Sequence, residues 1–316
     1  MTPVRRAAPD TALHLNVAGI AFQNPLLLAA GTAAYGRELV NVMELEAVGG
    51  LVTKAVSLRP RPGAPSPRVA EFPGGMINAV GLANPGLQDV RQHDMPWLAE
   101  HVRPARVLVN IVGDAPEEYA DVVAGLDDVD VVDGFELNVS CPNVKAGGME
   151  FGADPDTLAD VVRGARAATA RPIFVKLSPM LPDIALSARV AVDAGADGLT
   201  LINTIPGLVV DVDRRRPVLG FGSGGVSGPG LLPVGVLATW RVHQAVSVPL
   251  IGVGGVSSAH DALQYMIAGA SLVGIGTAAL RNPRLPGQIV RDLLHWCTAH
   301  DVASLGSVVG TLESPR

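Results

Sequence analysis

The sequence predicts a single α/β domain with a (β/α)8 barrel architecture. One unit recurs along the chain of 316 residues: an aliphatic run, a turn that contains glycine or asparagine, and a helical segment. The chain is 48% hydrophobic but only 4% aromatic, and aliphatic strands are typical of parallel sheets covered on both faces. Barrels of this length form one domain around one large core. An open doubly wound sheet shares the alternating pattern and stays an alternative at this point.

Eight aliphatic segments have the length and composition of barrel strands. They are Leu26–Gly31, Gly50–Ser57, Arg106–Gly113, Gly134–Ser140, Pro172–Ser178, Gly198–Asn203, Val248–Gly255 and Ser271–Thr277. Helical segments lie between most of them, and Asp193–Leu199 shows a glycine that ends a helix directly before a strand. Leu13–Phe22 predicts a hairpin that closes the N-terminal end of the barrel. We expect one domain over residues 13–310, with tails at 1–12 and 311–316.

Two predicted loops are longer than the others. Leu58–Leu87 follows the second strand and Thr204–Pro229 follows the sixth. In a barrel, loops of this kind lie over the carboxyl ends of the strands, where ligands bind. Both loops are therefore candidate lids.

Composition and charge argue against several classes of protein. A net charge of −6 and a pI of about 5.6 disfavour nucleic acid as a partner. The mean hydropathy is +0.33, but charges such as Asp193 and Asp197 interrupt the longest apolar runs, so no membrane span is predicted. The N-terminal MTPVRRAAPD lacks the apolar stretch of a signal peptide. With two cysteines and no metal-ligand spacing, we expect a cytoplasmic protein without a metal site.

The predicted strand ends carry many polar side chains. Cys141 follows the strand that holds Asn138 and Ser140, beside Pro142, which cannot continue a β ladder. The other polar residues at strand ends are Lys54, Asn110, Lys176, Ser178, Asn203 and Thr204. The last two strands end in Gly254–Gly255 and Gly276–Thr277, whose backbone amides are typical of the phosphate site of barrels. We therefore expect a phosphorylated ligand at this face.

Each of these residues also has a purely structural interpretation. A lysine at a strand end is commonly solvated or ion-paired, and Asn110 and Asn203 can act as helix N-caps. A cysteine is commonly a small buried hydrophobic residue, which is the role we expect for Cys297 in the helical segment Ile289–Ala299. The coincidence of two lysines, three asparagines, a thiol and two glycine pairs at one face favours a functional site.

Nine segments carry recognisable motifs. They are Thr53–Ser57, Pro67–Glu71, Met76–Gly86, Leu137–Gly148, Val175–Pro179, Ile202–Thr204, Gly224–Pro229, Gly252–Val256 and Gly274–Thr277. Together they resemble class 1 dihydroorotate dehydrogenases of the B type, over roughly residues 13–300. The cysteine is typical of class 1, because class 2 enzymes carry serine as the base and an N-terminal membrane segment. The stretch after Cys141 is similar to the B type rather than to the fumarate-using A type.

The resemblance implies one FMN per chain. The phosphate would be held by Gly228, Gly254, Gly255, Gly276 and Thr277. The flavin ring would contact Ala30, Gly31, Lys54, Ala55, Asn110, Asn138, Lys176 and Ile202. Ala30 stands where the B type often has serine, so one hydrogen bond to FMN would come from the backbone alone.

The resemblance also implies a reaction, the oxidation of (S)-dihydroorotate to orotate in pyrimidine biosynthesis. The substrate would be held by Lys54, Asn78, Ala79, Val80, Gly81, Leu82, Asn138, Asn203 and Thr204. Cys141 would remove the C5 proton while a hydride leaves C6 for the flavin N5. The Pro67–Asn84 segment and the residues around Cys141 are expected to close over the substrate and exclude water.

The B type passes its electrons to NAD+, yet the chain has no G-x-G-x-x-G in a βαβ context and no cysteine cluster for an iron–sulfur centre. The resemblance therefore implies a partner subunit, an electron-transfer flavoprotein with FAD and a [2Fe–2S] cluster, bound to a homodimer of this chain in a heterotetramer. Three alternatives stay open: an oxidoreductase similar to dihydropyrimidine dehydrogenase, a Schiff-base aldolase that uses Lys176, and a barrel that serves only as a scaffold.

Overall fold

A closed barrel of eight parallel strands forms the centre of the molecule. The structure, a computed structural model, describes residues 10–140, 142–143 and 149–313. The barrel strands β1 to β8 are Leu26–Leu28, Gly50–Val52, Arg106–Ile111, Gly134–Asn138, Ile173–Leu177, Gly198–Leu201, Leu250–Val253 and Ala270–Ile275. They follow one another in chain order, and β8 pairs with β1. The predicted (β/α)8 barrel is confirmed, and closure excludes the open doubly wound sheet.

Helices follow β2 to β8 and cover the outside of the barrel. Their bounds are Leu87–Asp89, Val90–Asp94 (a π turn) and Met95–His101 in one continuous stretch, then Pro116–Ala124, Pro155–Ala168, Ile184–Asp193, Leu232–His243, Ala259–Ile267, Thr277–Arg281 and Leu285–Ala299. Short 3-10 turns are Asp10–Leu13, Leu45–Ala47, Phe151–Ala153, Pro229–Leu231 and Leu305–Val308. Several helices begin where the sequence supplies a cap: Asp154, Asp183 and Ser258 each accept a hydrogen bond from a backbone amide of the first turn.

A hairpin closes the N-terminal end of the barrel, as the sequence predicts. Its strands are Leu15–Val17 and Ile20–Phe22. The two turn residues between them have positive φ angles, 50° at Ala18 and 81° at Gly19, as a type I′ turn requires. The buried Val17, Ile20 and Phe22 pack against side chains inside the barrel, namely Leu27, Val52, Leu108, Phe174, Ile251 and Leu272. This apolar layer fills the lower half of the barrel, so the polar residues are confined to the other end.

The two long loops meet in an antiparallel sheet that the sequence did not predict. Val69–Phe72 and Gly75–Asn78 come from the loop after β2, and Ile205–Gly207 and Gly224–Ser227 come from the loop after β6. Gly75–Asn78 pairs with Gly224–Ser227, which joins the two loops. Two smaller antiparallel pairs are Val210–Asp211 with Arg216–Pro217 and Pro142–Asn143 with Met149–Glu150. Residues 76–78 of one candidate lid are thus paired with residues 225–227 of the other.

The strands end earlier than the sequence predicts. The ladder of β2 ends at Val52, whereas Gly50–Ser57 was predicted as strand, so Lys54 lies in irregular backbone whose amide donates to the carbonyl of Ala34 at 2.8 Å. The apolar pattern continues past Val52 because Ala55 and Val56 are buried in the main hydrophobic core, and the amide of Val56 still donates to the carbonyl of Asn110 on β3. Cys297 is fully buried in the last helix, and its predicted role in the core is confirmed. Among the described helices, none combines the length and apolar character needed to span a bilayer.

Candidate active site

The polar residues predicted at the strand ends lie at one end of the barrel interior. Lys176 on β5 is paired with Asn138 on β4 and with Thr200 on β6. Asn110 on β3 is paired with Glu136 on β4. Because side chains alternate along a strand, these residues share the inward face, directly above the apolar layer that closes the barrel.

Glu136 connects several of these side chains and was missed by sequence reasoning. Its carboxylate is 1% exposed. Its Oε1 accepts a hydrogen bond from Nδ2 of Asn110 at 2.7 Å, and its Oε2 accepts one from the hydroxyl of Thr200 at 2.8 Å. Nζ of Lys176 lies 4.0 Å from Oε1. Glu136 stands two residues before Asn138 in the same strand, so the period-two alternation could have placed both on the inward face.

The structural interpretation of two asparagines as helix N-caps does not hold. Asn110 is 1% exposed and lies inside β3, and the next helix begins at Pro116 after the cap residue Ala115. Asn203 is followed by the strand Ile205–Gly207 rather than by a helix. Neither side chain caps a helix, so each keeps one end of its amide for a ligand at the carboxyl end of the barrel.

Hydrogen bonds within the protein determine which end of the side-chain amide Asn203 and two further asparagines can offer a ligand. Oδ1 of Asn138 accepts from the amide of Ser140 at 3.3 Å, and Oδ1 of Asn203 accepts from the amide of Thr204 at 2.8 Å. Their NH2 groups are left to donate. Nδ2 of Asn78 donates to the carbonyl of Gly225 at 3.2 Å, which leaves its oxygen to accept. This mixture of amide donors and acceptors suits a ring that carries both N–H and C=O groups.

A buried asparagine fixes the loop that holds the predicted substrate residues Asn78–Leu82. Oδ1 of Asn84 accepts from the amides of Ser57 at 3.3 Å and Gly86 at 2.9 Å. Its Nδ2 donates to the hydroxyl of Ser57 and to the carbonyl of Leu82, both at 2.8 Å. Within the loop, the carbonyl of Val80 accepts from the amide of Ala64 and the amide of Ala79 donates to Arg68, while Gly81 and Leu82 have positive φ angles. The loop is thus tied to the residues that follow β2, beside Lys54.

The glycine pairs predicted to form a phosphate cradle follow directly after β7 and β8. Gly254 and Gly255 have φ angles of 131° and 74°. The hydroxyl of Tyr265 donates to the carbonyl of Gly254 at 2.8 Å, and since C=O and N–H point in opposite directions across a trans peptide, the amide of Gly255 points away from Tyr265. A Cβ at Gly255 would lie 2.5 Å from the amide nitrogen of Leu232. Only glycine fits this close approach of two backbones.

Two hydroxyls complete the cradle. Thr277, at the start of the helix after β8, donates a hydrogen bond to the hydroxyl of Ser227 at 2.7 Å. Gly228, with φ of 125°, follows Ser227 directly, and a Cβ there would lie 2.7 Å from Cα of Gly75. Ser227 and Tyr265 are absent from the sequence-based site. Ser227 stands directly before the predicted Gly228 and could have been found there, whereas Tyr265 lies in the helix after β7, and its contact with Gly254 depends on the fold.

The remaining predicted flavin contacts lie at the ends of β1, β2 and β6. Gly31 has φ of 80°, and no heavy atom lies within 4 Å of the position its Cβ would take. Ala30 packs against the apolar layer of the barrel interior. The carbonyl of Ala55 accepts from the hydroxyl of Tyr35 at 3.0 Å, and the amide of Ile202 donates to the carbonyl of Val253 at 3.0 Å. Among these residues, Gly31 borders open space, which is compatible with the predicted flavin contact.

Cys141 lies outside the described residues. Glu136 and Glu150 are the described titratable groups that flank it along the chain, and the backbone of Glu150 is paired with Pro142. Burial raises the pKa of the Glu150 carboxyl, and a hydrogen bond from the hydroxyl of Ser178 at 3.3 Å opposes this effect. Within the described part of the chain, no three His, Cys, Asp or Glu side chains are grouped as metal ligands.

Comparison with known proteins agrees with this geometry. The family model for dihydroorotate dehydrogenase matches residues 12–296. The chain belongs to this family. A dihydroorotate dehydrogenase B (NAD(+)) catalytic subunit from Pelobacter propionicus is 46% identical over 305 residues, which cover 96% of this chain and 99% of the relative. A protein of the same description from Desulforudis audaxviator is 46% identical, over 93% of this chain and 95% of the relative. Another from Citrifermentans bemidjiense is 44% identical, over 96% of this chain and 99% of the relative. The resemblance found in the sequence motifs is confirmed.

Proposed function

We propose that this chain is the catalytic subunit of a B-type dihydroorotate dehydrogenase, which oxidises (S)-dihydroorotate to orotate in the synthesis of UMP. Its membership of the family carries this proposal. The gathering of Lys176, Asn110 and Asn138 with the glycine cradle at one end of the barrel supports it. A Schiff-base aldolase would use Lys176 and the cradle but would leave Cys141 and the three asparagines without a role, and a scaffold would need none of these groups.

The residues present fit FMN as the resident cofactor. The amides of Gly228, Gly255 and Gly276 together with Thr277 suit a phosphate, because backbone N–H groups beside helix N-termini attract anions. The open space beside Gly31 suits the ring, and Lys176 and Asn110 offer a cation and an amide to its polar edge. Lys54, Ala30, Ala55, Asn138 and Ile202 complete the proposed ring contacts. When bound, FMN supplies the group that accepts a hydride from C6 of the substrate.

The proposed substrate-binding site combines one cation with several side-chain amides. Lys54 would pair with the carboxylate of dihydroorotate, while Asn138 and Asn203 offer NH2 groups to its carbonyl oxygens. Asn78 offers an oxygen to a ring N–H. Thr204 and the residues Ala79–Leu82 would enclose the ring. The carboxylate contact favours dihydroorotate over dihydrouracil, which lacks that group.

Cys141 is the proposed base. Its Sγ would take the proton from C5, a carbon acid activated by the adjacent C4 carbonyl. Because the thiolate is the reactive form, the neighbouring polar groups must favour its ionisation or the pH must supply it. The cradle and the clamped loop orient the two ligands, and closure of the loops would exclude water from the reacting atoms.

We also propose that the electrons leave through a partner subunit. The relatives are named as NAD(+)-type catalytic subunits, and we infer a partner with FAD and a [2Fe–2S] cluster, bound to a homodimer of this chain in a heterotetramer. A location in the cytoplasm is part of the same proposal.

Two measurements on the purified chain test the proposed function. The first is its absorbance spectrum, which should show a bound flavin that anaerobic dihydroorotate bleaches. The second is turnover with ferricyanide and with NAD+ as acceptors, and we expect NAD+ to be reduced only when the partner is added. A colourless protein that binds no added FMN would contradict the cofactor, and faster bleaching by dihydrouracil than by dihydroorotate would favour the dihydropyrimidine dehydrogenase alternative.

A further inference from the structure

Glu136 is a buried carboxylate that takes no direct part in the proposed reaction. It is 1% exposed, and three polar side chains from three other strands surround it: Asn110, Thr200 and Lys176. A buried charge is costly unless its partners compensate for it, and removing the charge leaves those partners unsatisfied. Two of the three partners, Asn110 and Lys176, belong to the proposed flavin site.

The carboxylate determines which end of the Asn110 amide faces a ligand. An ionised carboxylate can only accept hydrogen bonds, so Asn110 must turn its NH2 group toward Glu136, and the 2.7 Å bond from Nδ2 to Oε1 shows this orientation. The amide oxygen is then the group left for a ligand. Without Glu136, either end of the amide could face the site at similar energy.

The same oxygen faces the ammonium of Lys176. Nζ of Lys176 lies 4.0 Å from Oε1, and Lys176 is only 7% exposed. The described residues offer Lys176 no other carboxylate within ion-pair distance. Glu136 therefore supplies the negative charge that holds this cation inside the barrel.

We propose that Glu136 is a positioning residue that fixes Asn110 as a hydrogen-bond acceptor and holds the Lys176 ammonium beside it. This inference rests on the proposed function for the identity of the ligand. The polar edge of a flavin carries one N–H donor, N3, between two carbonyl oxygens. The oxygen of Asn110 can accept from N3–H, and the ammonium of Lys176 can donate to a neighbouring carbonyl oxygen. If Asn110 were reversed, its NH2 group would face N3–H, so that two donors would meet.

Two variants separate this role from general packing. Glu136→Gln has the same shape but no charge. Because its side-chain amide can donate as well as accept, it no longer fixes which end of the Asn110 amide faces it. Thr200→Val is the matched control, because it removes the other hydrogen bond to Glu136 at 2.8 Å and leaves Asn110 and Lys176 untouched. If Glu136→Gln does not fold, Glu136→Asp, which keeps the charge but withdraws it by one methylene group, takes its place in both measurements.

The first measurement compares the affinity of the apoprotein for FMN and for N3-methyl FMN, which has no N3–H. The wild type and Thr200→Val are expected to bind FMN at least about tenfold more tightly, because the methylated ring loses a hydrogen bond to Asn110 and leaves the amide oxygen unpaired. Glu136→Gln is expected to reduce this preference to about threefold or less. An unchanged preference in Glu136→Gln would overturn the proposal.

The second measurement needs no flavin. Unfolding of the apoprotein in urea is compared for the wild type, Glu136→Gln, Lys176→Met and the double variant. If Glu136 and Lys176 are coupled, the effect of the double variant on the unfolding equilibrium constant should differ by about fivefold or more from the product of the two single effects. Agreement with that product would overturn the role of Glu136 toward Lys176. If the wild type binds no flavin, the proposed function fails, while this cycle still decides whether Glu136 holds Lys176.

Discussion

The hydroxyl of Thr277 donates a 2.7 Å hydrogen bond to the hydroxyl of Ser227, and Ser227 donates in turn to the carbonyl of Met76. This chain of hydroxyls joins the end of β8 to the sheet built from the two long loops. It runs between Gly228 and Gly276, where the phosphate is expected. The predicted phosphate cradle and the loops that are proposed to hold the substrate are therefore physically connected.

The Ser227→Ala variant tests this connection. The variant removes the acceptor that orients the Thr277 hydroxyl and the bond to the carbonyl of Met76. Because a neutral hydrogen bond contributes about 1 kcal/mol, we expect the dissociation constant for FMN to rise by about fivefold. Riboflavin, which has no phosphate, should bind the variant and the wild type equally well. Fluorescence titration of the apoprotein measures both affinities. Ser304→Ala is a suitable control because Ser304 is exposed, and an equal loss for FMN and riboflavin would argue against a phosphate contact.

Asn84 anchors the loop that is proposed to hold the substrate. Asn84→Ala would leave the buried amide of Ser57 without its acceptor and free the carbonyl of Leu82. We expect a loss of about 2–3 kcal/mol in the free energy of unfolding and a higher KM for dihydroorotate. Urea unfolding and steady-state kinetics measure the two effects. Asn282→Ala, which removes one hydrogen bond to the amide of Arg284 at 3.2 Å on the surface, should change neither.

Glu150 gives a pH-dependent prediction. Burial raises the pKa of its carboxyl in the folded protein, so stability decreases as the pH rises from the pKa of the unfolded chain through that of the folded protein. Glu150→Gln removes this cost and keeps an oxygen for the hydroxyl of Ser178. The variant should be more stable than the wild type at pH 7, and the difference should disappear below about pH 4. Urea unfolding at both pH values checks this, with the exposed Glu313→Gln as the control; a wild type more stable than Glu150→Gln at pH 7 would contradict it.

The reductive half-reaction should also depend on pH. If Cys141 must be ionised to take the C5 proton, the rate of flavin reduction by dihydroorotate should rise with pH and level off above the apparent pKa of the thiol, which is about 8.5 for a free cysteine. Anaerobic stopped-flow absorbance at a series of pH values measures this. A rate that is constant between pH 6 and pH 9.5 would argue against a thiol base.

The barrel itself was predictable because its signals are local. Each strand is an aliphatic run with a turn at its end, and the hairpin around Ala18 and Gly19 carries the turn residues its geometry needs. The sheet between the long loops was not predictable, because Gly75–Asn78 and Gly224–Ser227 are rich in glycine and pair across almost 150 residues of chain. Isolated segments of this kind have little strand propensity, and only tertiary packing decides their pairing.

The site was predicted to the extent that its residues stand at strand ends. Lys176, Asn110, Asn138 and the glycine pairs were found in this way, whereas Glu136 looked like one acidic residue in an aliphatic run. Its importance comes from partners on three different strands, which the barrel brings together only when it closes. The roles of the predicted residues toward the ligands stay predictions.

The single-turnover reduction of the bound flavin in Cys141→Ala tests the proposed reaction most directly. The matched control is Cys297→Ala, which removes the buried thiol of the last helix and should leave the rate within about twofold of the wild type while lowering stability by about 1 kcal/mol. We expect Cys141→Ala to bind FMN and dihydroorotate but to reduce the flavin at least about a hundredfold more slowly, because the C5 proton has lost its base. Reduction at the wild-type rate would show that Cys141 is not the base.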